Sequence, residues 1–178
     1  MKNFKKLGFT RLESTELVLS LNQLLANYHI HYQKLRNFHW NVVGPDFFEL
    51  HEQFEIEYNQ VKQNIDIIAE RIRIFGHKPL SNLSDYLELS EIKESSNSLT
   101  SYQMVREITD DFELLLSYLL NALETAQTTA DSGSEDMLTS IIKRLEKRHW
   151  MFTAWLQDDK TTTELSNEVP HDKAHLVN

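Results

Sequence analysis

Apolar side chains recur along this chain at steps of three, four and seven. From Leu12 to about Val42, Leu17, Leu21, Leu24, Tyr28, Leu35 and Phe38 share one stripe with no Pro or Gly between them, which predicts one long amphipathic helix. Gly44-Pro45 breaks it. Asp46 is then a candidate N-cap for a second helix in which Leu50, Phe54, Tyr58, Val61, Ile65, Ile68 and Ile72 keep the period. Gly76 suits a left-handed C-cap, with Pro79 just beyond. The polar stretch "SNLSDYLELSEIKESSNS" reads as a long connection whose apolar insert, Leu83 to Leu89, forms a small helix. A third helix is expected from about Ser101 to Ala130, a Ser-Gly-Ser turn at 132–134, and a fourth helix from roughly Glu135 to Gln157. Two hairpins with a long link predict an all-α four-helix bundle with a short extra helix between helices two and three.

Composition agrees with that picture. The 178 residues, 40% of them apolar, are enough for one domain with a sizeable core, and four Gly with three Pro favour a few long elements. We divide the chain into a flexible basic arm (1–11), the bundle (12–158) and a flexible C-terminal tail (159–178). The absence of cysteine excludes disulfides, Cys-ligated zinc, iron–sulfur clusters and thiol catalysis. The N-terminal stretch carries charges but no apolar leader segment, and no apolar run of about 18 residues follows, so a soluble, cytoplasmic protein without membrane contact is expected. A net charge of −9 argues against general DNA affinity and favours cations as partners. One long crossover is the ferritin-like arrangement, but other bundles share it, so function has to come from a site.

The second helix carries the candidate chemistry. At about 100° per residue, Glu55 lies about 40° round from His51, Asp66 about 60° and Glu70 about 100°, all beside the apolar stripe. Imidazole and carboxylate without thiolate suit iron or manganese, and also zinc. His51 and Asp66, however, are about 22 Å apart along the axis, too far for one ion. Two copies of the helix, antiparallel about a point between residues 60 and 61, would oppose His51 with Glu70 and Glu55 with Asp66. That isologous pair has two equivalent sites. His39, at the end of the first helix, can approach His51. The plainer alternative is that these histidines are packed side chains and the acids a solvated face.

The segments "NFHWNVVGPDFFELHEQFE", "NIDIIAERI" and "GHKPLSNLSDYLELSEI" closely resemble the Dps miniferritins, the DNA-binding proteins from starved cells, within the ferritin-like superfamily. The likeness covers about Leu17 to Leu156. It implies a dodecameric shell built from two-fold dimers, with ferroxidase centres of His39, His51 and Glu55 from one subunit and Asp66 and Glu70 from the other. Each centre would hold at most two irons, with His39, His51, Asp66 and Glu70 as the catalytic ligands. The family commonly has Asp where this chain has Glu55. "EKRHWMFTAWL" resembles the family's final-helix motif, making Trp150, with Trp40, a candidate aromatic near the centre. Glu146 and His149 spell a single E-x-x-H, whereas the larger di-iron proteins need two, so we read them as surface or interface residues. His31 is expected in the core or an interface.

The resemblance implies Fe(II) oxidation, with hydrogen peroxide preferred over O₂, ferric mineral stored in the cavity, and DNA protected from oxidative damage during stress or starvation. It also implies acidic entry pores at three-fold axes, for which "ADSGSEDM" offers Asp131, Glu135 and Asp136; equally, these residues form a solvated helix start that complements the dipole. A competing function is nucleoid DNA binding and compaction. Lys2, Lys5, Lys6 and Arg11 are the only charged residues among the first twelve, and many such arms on one shell would act together. A di-iron enzyme acting on an organic substrate would need a pocket that no motif suggests.

Overall fold

The computed structural model describes residues 11–167, with side chains over 14–157. It contains α1 (Arg11–Asn41), α2 (Phe47–Ile74), α3 (Leu83–Leu89), α4 (Ser101–Thr128) and α5 (Ser132–Asn167), and no strand among the described residues. The expected bundle with its extra short helix is what the chain forms. α1 pairs with α2, α4 with α5, and the hairpins meet where α1 packs on α4, while α3 lies against α1.

The stripe read from the sequence is the face that α1 buries: Leu17, Leu21, Leu24, Tyr28, Leu35 and Phe38 have at most 1% of their surface exposed. At one level of the core each long helix contributes a phenylalanine, with ring centroids 5.9 Å apart for Phe38–Phe54, 6.3 Å for Phe54–Phe152 and 5.6 Å for Phe112–Phe152. Truncating such a side chain to alanine costs roughly 3–5 kcal/mol. Several charged and polar side chains inside the bundle are paired. His31 Nδ1 lies 2.9 Å from Asp111, which also accepts from Lys34 at 2.8 Å; His31 is thus a core histidine. Buried Glu57 on α2 is held by Arg148 and Arg144 of α5. The crossover is pinned to α1 by Asn27, whose side-chain oxygen accepts from Ser90 Oγ and from the backbone N–H groups of Glu91 and Ile92.

Gly76 ends α2 as expected, at φ +81°, with its N–H bonded to Arg73 and that of His77 to Ile72, the two bonds of a left-handed cap. Asp46 precedes α2 but makes no side-chain cap bond; its carboxylate accepts from Ser101 Oγ at 3.4 Å instead.

Two boundaries differ from the sequence reading. The α4–α5 turn falls at Thr129–Asp131 rather than at 132–134, with Ala130 taking the left-handed conformation at φ +54° and the same pair of bonds closing α4 on Gln127 and Ala126. Gly133 lies inside the first turn of α5, where a Cβ would meet the Arg71 guanidinium at 2.8 Å. Its role is to admit that side chain, not to turn the chain. The last helix also runs past Gln157 to Asn167, into residues assigned to the tail, because no Gly or Pro interrupts the chain between Ser134 and Pro170. Residues 168–178 of the expected tail lie outside the described residues.

Candidate metal centre

The short turn around Gly44, whose φ of +108° is open to glycine alone, folds the start of α2 back on the end of α1. His39, in the last turn of α1, therefore faces His51, in the second turn of α2. Their rings stack with centroids 3.7 Å apart and interlock through the backbone. His39 Nδ1 donates to the His51 carbonyl and His51 Nδ1 to the His39 carbonyl, both at 2.8 Å. The His39 carbonyl is available because it belongs to the last turn of its helix. A carbonyl oxygen only accepts, so each Nδ1 carries the proton. In the neutral rings both Nε2 lone pairs are left free, the state of a metal-binding histidine oriented by a backbone acceptor.

Glu55 stands one helical turn after His51, and one ligand atom from each of His39, His51 and Glu55 lies within 4.8 Å of the others. No other three such side chains converge in this way among the described residues. The donor chemistry runs from buried to exposed: His39 is buried, His51 half-buried and Glu55 exposed. Tyr58 borders the group, donating to Glu55 Oε1 at 3.2 Å, with its ring edge-on to His39 at 5.3 Å. Burial, and then the bond to Glu55, push the Tyr58 hydroxyl above its ordinary pKa, so it remains a donor at neutral pH. Phe47 lies against His51, with ring centroids 5.1 Å apart.

The remaining residues singled out in the sequence are placed as follows. Asp66 and Glu70 are exposed on α2 and outside the triad. Trp40 is 58% exposed under the Arg36 guanidinium, and Trp150 is 66% exposed on α5 with no ring contact or hydrogen bond to the triad. Glu146 is exposed and His149 pairs with Glu113 at 3.2 Å, both at the surface. Asp131 is buried. It pairs with Arg71, and although burial alone would raise its carboxyl pKa, the hydrogen bonds from Arg71 and Ser134 and the guanidinium charge hold it below the ordinary value. Glu135 is half-buried and Asp136 exposed. Lys2, Lys5 and Lys6 lie outside the described residues; Arg11 opens α1, its side chain undescribed.

Sequence reasoning missed three participants: Tyr58, read only as part of the apolar stripe, and the Arg71–Gly133 fit. The available signals were the three-residue spacing of Glu55 and Tyr58, and a glycine near the start of a helix.

Comparison with known proteins adds to this geometry. The model of the ferritin-like domain matches residues 18–162. The chain is 38% identical to General stress protein 20U of Bacillus subtilis, over 80% of this chain and 99% of that one. It is 41% identical to DNA protection during starvation protein 2 of Bacillus anthracis, over 79% of this chain and 97% of the relative. Among solved structures, the Dps protein of Vibrio cholerae, described as a member of a broad superfamily of ferritin-like diiron-carboxylate proteins, superposes with a TM-score of 0.82 at 38% identity, covering 84% of this chain and 94% of its own. Dps from Staphylococcus aureus gives 0.78 at 42% identity, covering 80% and 95%. The bundle with one crossover, the interlocked histidines at the first hairpin and these likenesses along nearly the whole fold together show that the chain belongs to the Dps family of ferritin-like proteins.

Proposed function

We propose that this protein stores and detoxifies iron: it oxidises Fe(II) at centres shared between two copies of the chain and deposits the ferric product as mineral inside a shell of twelve, protecting DNA from oxidative damage. The observation that carries this reading is the interlock of His39 and His51, which leaves two imidazole lone pairs beside the Glu55 carboxylate. Those donors suit Fe(II), which here is the substrate. Three ligands leave room for an oxidant and for more carboxylate.

Asp66 and Glu70 of a second chain are the candidates to supply it. They share a face of α2 with Glu55, and no single chain can fold them back across the roughly 22 Å that separate Asp66 from His51. A second copy on that face is supported by large apolar side chains left uncovered there. Ile56 and Ile67, 41% and 45% exposed, lie about 140° and 160° round from His51, bordering the acidic stripe. Antiparallel pairing would cover them and complete two sites at once.

With two irons held close, each gives one electron to a single hydrogen peroxide; its O–O bond breaks, two protons are taken up and two waters leave, so no hydroxyl radical is released. Peroxide is the preferred oxidant and O₂ the slower one. Iron entry is assigned to pores bordered by Asp131, Glu135 and Asp136, of which Asp131 is buried and paired with Arg71. The protein is placed in the cytoplasm as part of this proposal; no helix among the described residues is long and apolar enough to cross a membrane.

Anaerobic Fe(II) titration followed by stoichiometric peroxide tests this, read by ferric absorbance and by hydroxyl-radical trapping. Saturable Fe(II) uptake, rapid oxidation and little trapped radical are expected. Radical yields equal to those of free Fe(II) would reject the reading. DNA compaction, the alternative, rests on four basic residues of which three lie outside the described residues.

A further inference from the structure

Glu55 is the weak point of the triad. It is the exposed member, and glutamate places its carboxylate on a longer, freer arm than aspartate does, so fixing it costs rotamer entropy. Something should hold it if it is to wait in place for an ion. The structure offers one such group, because residues three apart on a helix face each other and Tyr58 stands three after Glu55.

We propose that Tyr58 is a positioning residue of the metal centre: its hydroxyl holds Glu55 Oε1 at 3.2 Å, so that Glu55 presents only Oε2 to the ion and binds it through one oxygen. Tyr58 is able to do this because its own ring is fixed on two sides, edge-on to His39 at 5.3 Å and to Tyr32 at 6.1 Å. Since His39 is in turn stacked on His51, the tyrosine links the carboxylate ligand to both imidazole ligands. A hydrogen bond that holds one carboxylate oxygen both orients the ligand and limits its denticity, and loss of such an outer bond typically weakens metal binding about 10–100-fold. In a chain with Glu rather than Asp at this position, the anchor restores the direction that the shorter side chain would have by itself.

The inference rests on the metal-centre reading, and the test separates the two. The full assembled protein is titrated with Co(II), without oxidant, and followed by its visible d–d bands, whose intensity reports coordination number. Tyr58→Phe keeps the ring contacts and removes only the donor. It should bind Co(II) about tenfold more weakly, at the low end of that range because the bond is exposed, with altered band intensity and an unchanged melting temperature. In a Glu55→Ala background the further change Tyr58→Phe should do nothing, since the tyrosine acts only through Glu55. Wild-type affinity and spectrum in Tyr58→Phe would overturn the proposal. So would an equal loss with and without Glu55, which would make Tyr58 a general packing residue. His39→Ala serves as the control for the underlying reading: if it keeps the full cobalt spectrum, the metal centre itself is refuted, and the role of Tyr58 with it.

Discussion

The proposed intersubunit centre makes a quantitative claim about mixed assemblies. His39, His51 and Glu55 converge within one chain, whereas Asp66 and Glu70 stand far down the same helix, so an intersubunit site divides its ligands cleanly between two copies. Take as parents a His39→Ala/His51→Ala chain and an Asp66→Asn/Glu70→Gln chain. Each alone should oxidise Fe(II) very slowly, because every site lacks either its imidazoles or two of its carboxylates. Co-assembled in equal amounts, about half of the two-fold pairs are mixed; in each mixed pair one site collects all four lesions and its twin collects none. About one quarter of all sites are then intact, and the initial rate per subunit should recover to about one quarter of wild type. The assay is ferric absorbance after peroxide addition, on shells shown by native mass spectrometry to contain both chains. If both ligand sets came from a single chain, every site would carry one set of lesions and mixing would restore nothing. A rate no higher than the parents' in proven mixed shells would refute the intersubunit assignment and, with it, Asp66 and Glu70.

Gly133→Ala, which elsewhere in a helix would gain about 0.5–1 kcal/mol, should instead destabilise, because the added methyl meets the Arg71 guanidinium at 2.8 Å and that group cannot move aside without breaking its bonds to Asp131 and Ser134; urea melts should show the penalty vanish in an Arg71→Met background. The Asp131 carboxyl is held below its ordinary value of 3.8 in the folded state, so its contribution is fully present above that pH and lost as pH falls through the lower folded value. Urea midpoints measured from about pH 6 to about pH 2.5 should accordingly fall more steeply for wild type than for Asp131→Asn. Removing residues 1–11 should leave iron oxidation unchanged while abolishing any salt-sensitive gel shift; DNA binding that survives the truncation would reject the arm as the contact.

The sequence by itself determined the helices and their inward faces. Period and breakers are local properties: the run from Leu17 to Phe38, the Gly44-Pro45 break and Gly76 each act within a turn or two of themselves, and each is found where the pattern put it. The spacing of Glu55, Asp66 and Glu70 from His51 was legible for the same reason, since a helix converts residue number into angle. What needed the tertiary structure was everything that depends on two elements meeting. Gly133 looked like a turn glycine, but its meaning lies in an arginine more than sixty residues earlier that occupies the space a side chain would need, and the turn passed to Ala130. Asp131 was legible only as an acid near a helix start, open to either a pore or a solvated reading; that it is buried and paired with the same arginine appears only in the fold. The mutual bonds of His39 and His51, which settle the tautomers and free both Nε2 atoms, exist only because one carbonyl is orphaned at a helix end and the other can accept twice. No periodicity in one dimension encodes such contacts; they follow from the distance between two helices once the turn between them has closed.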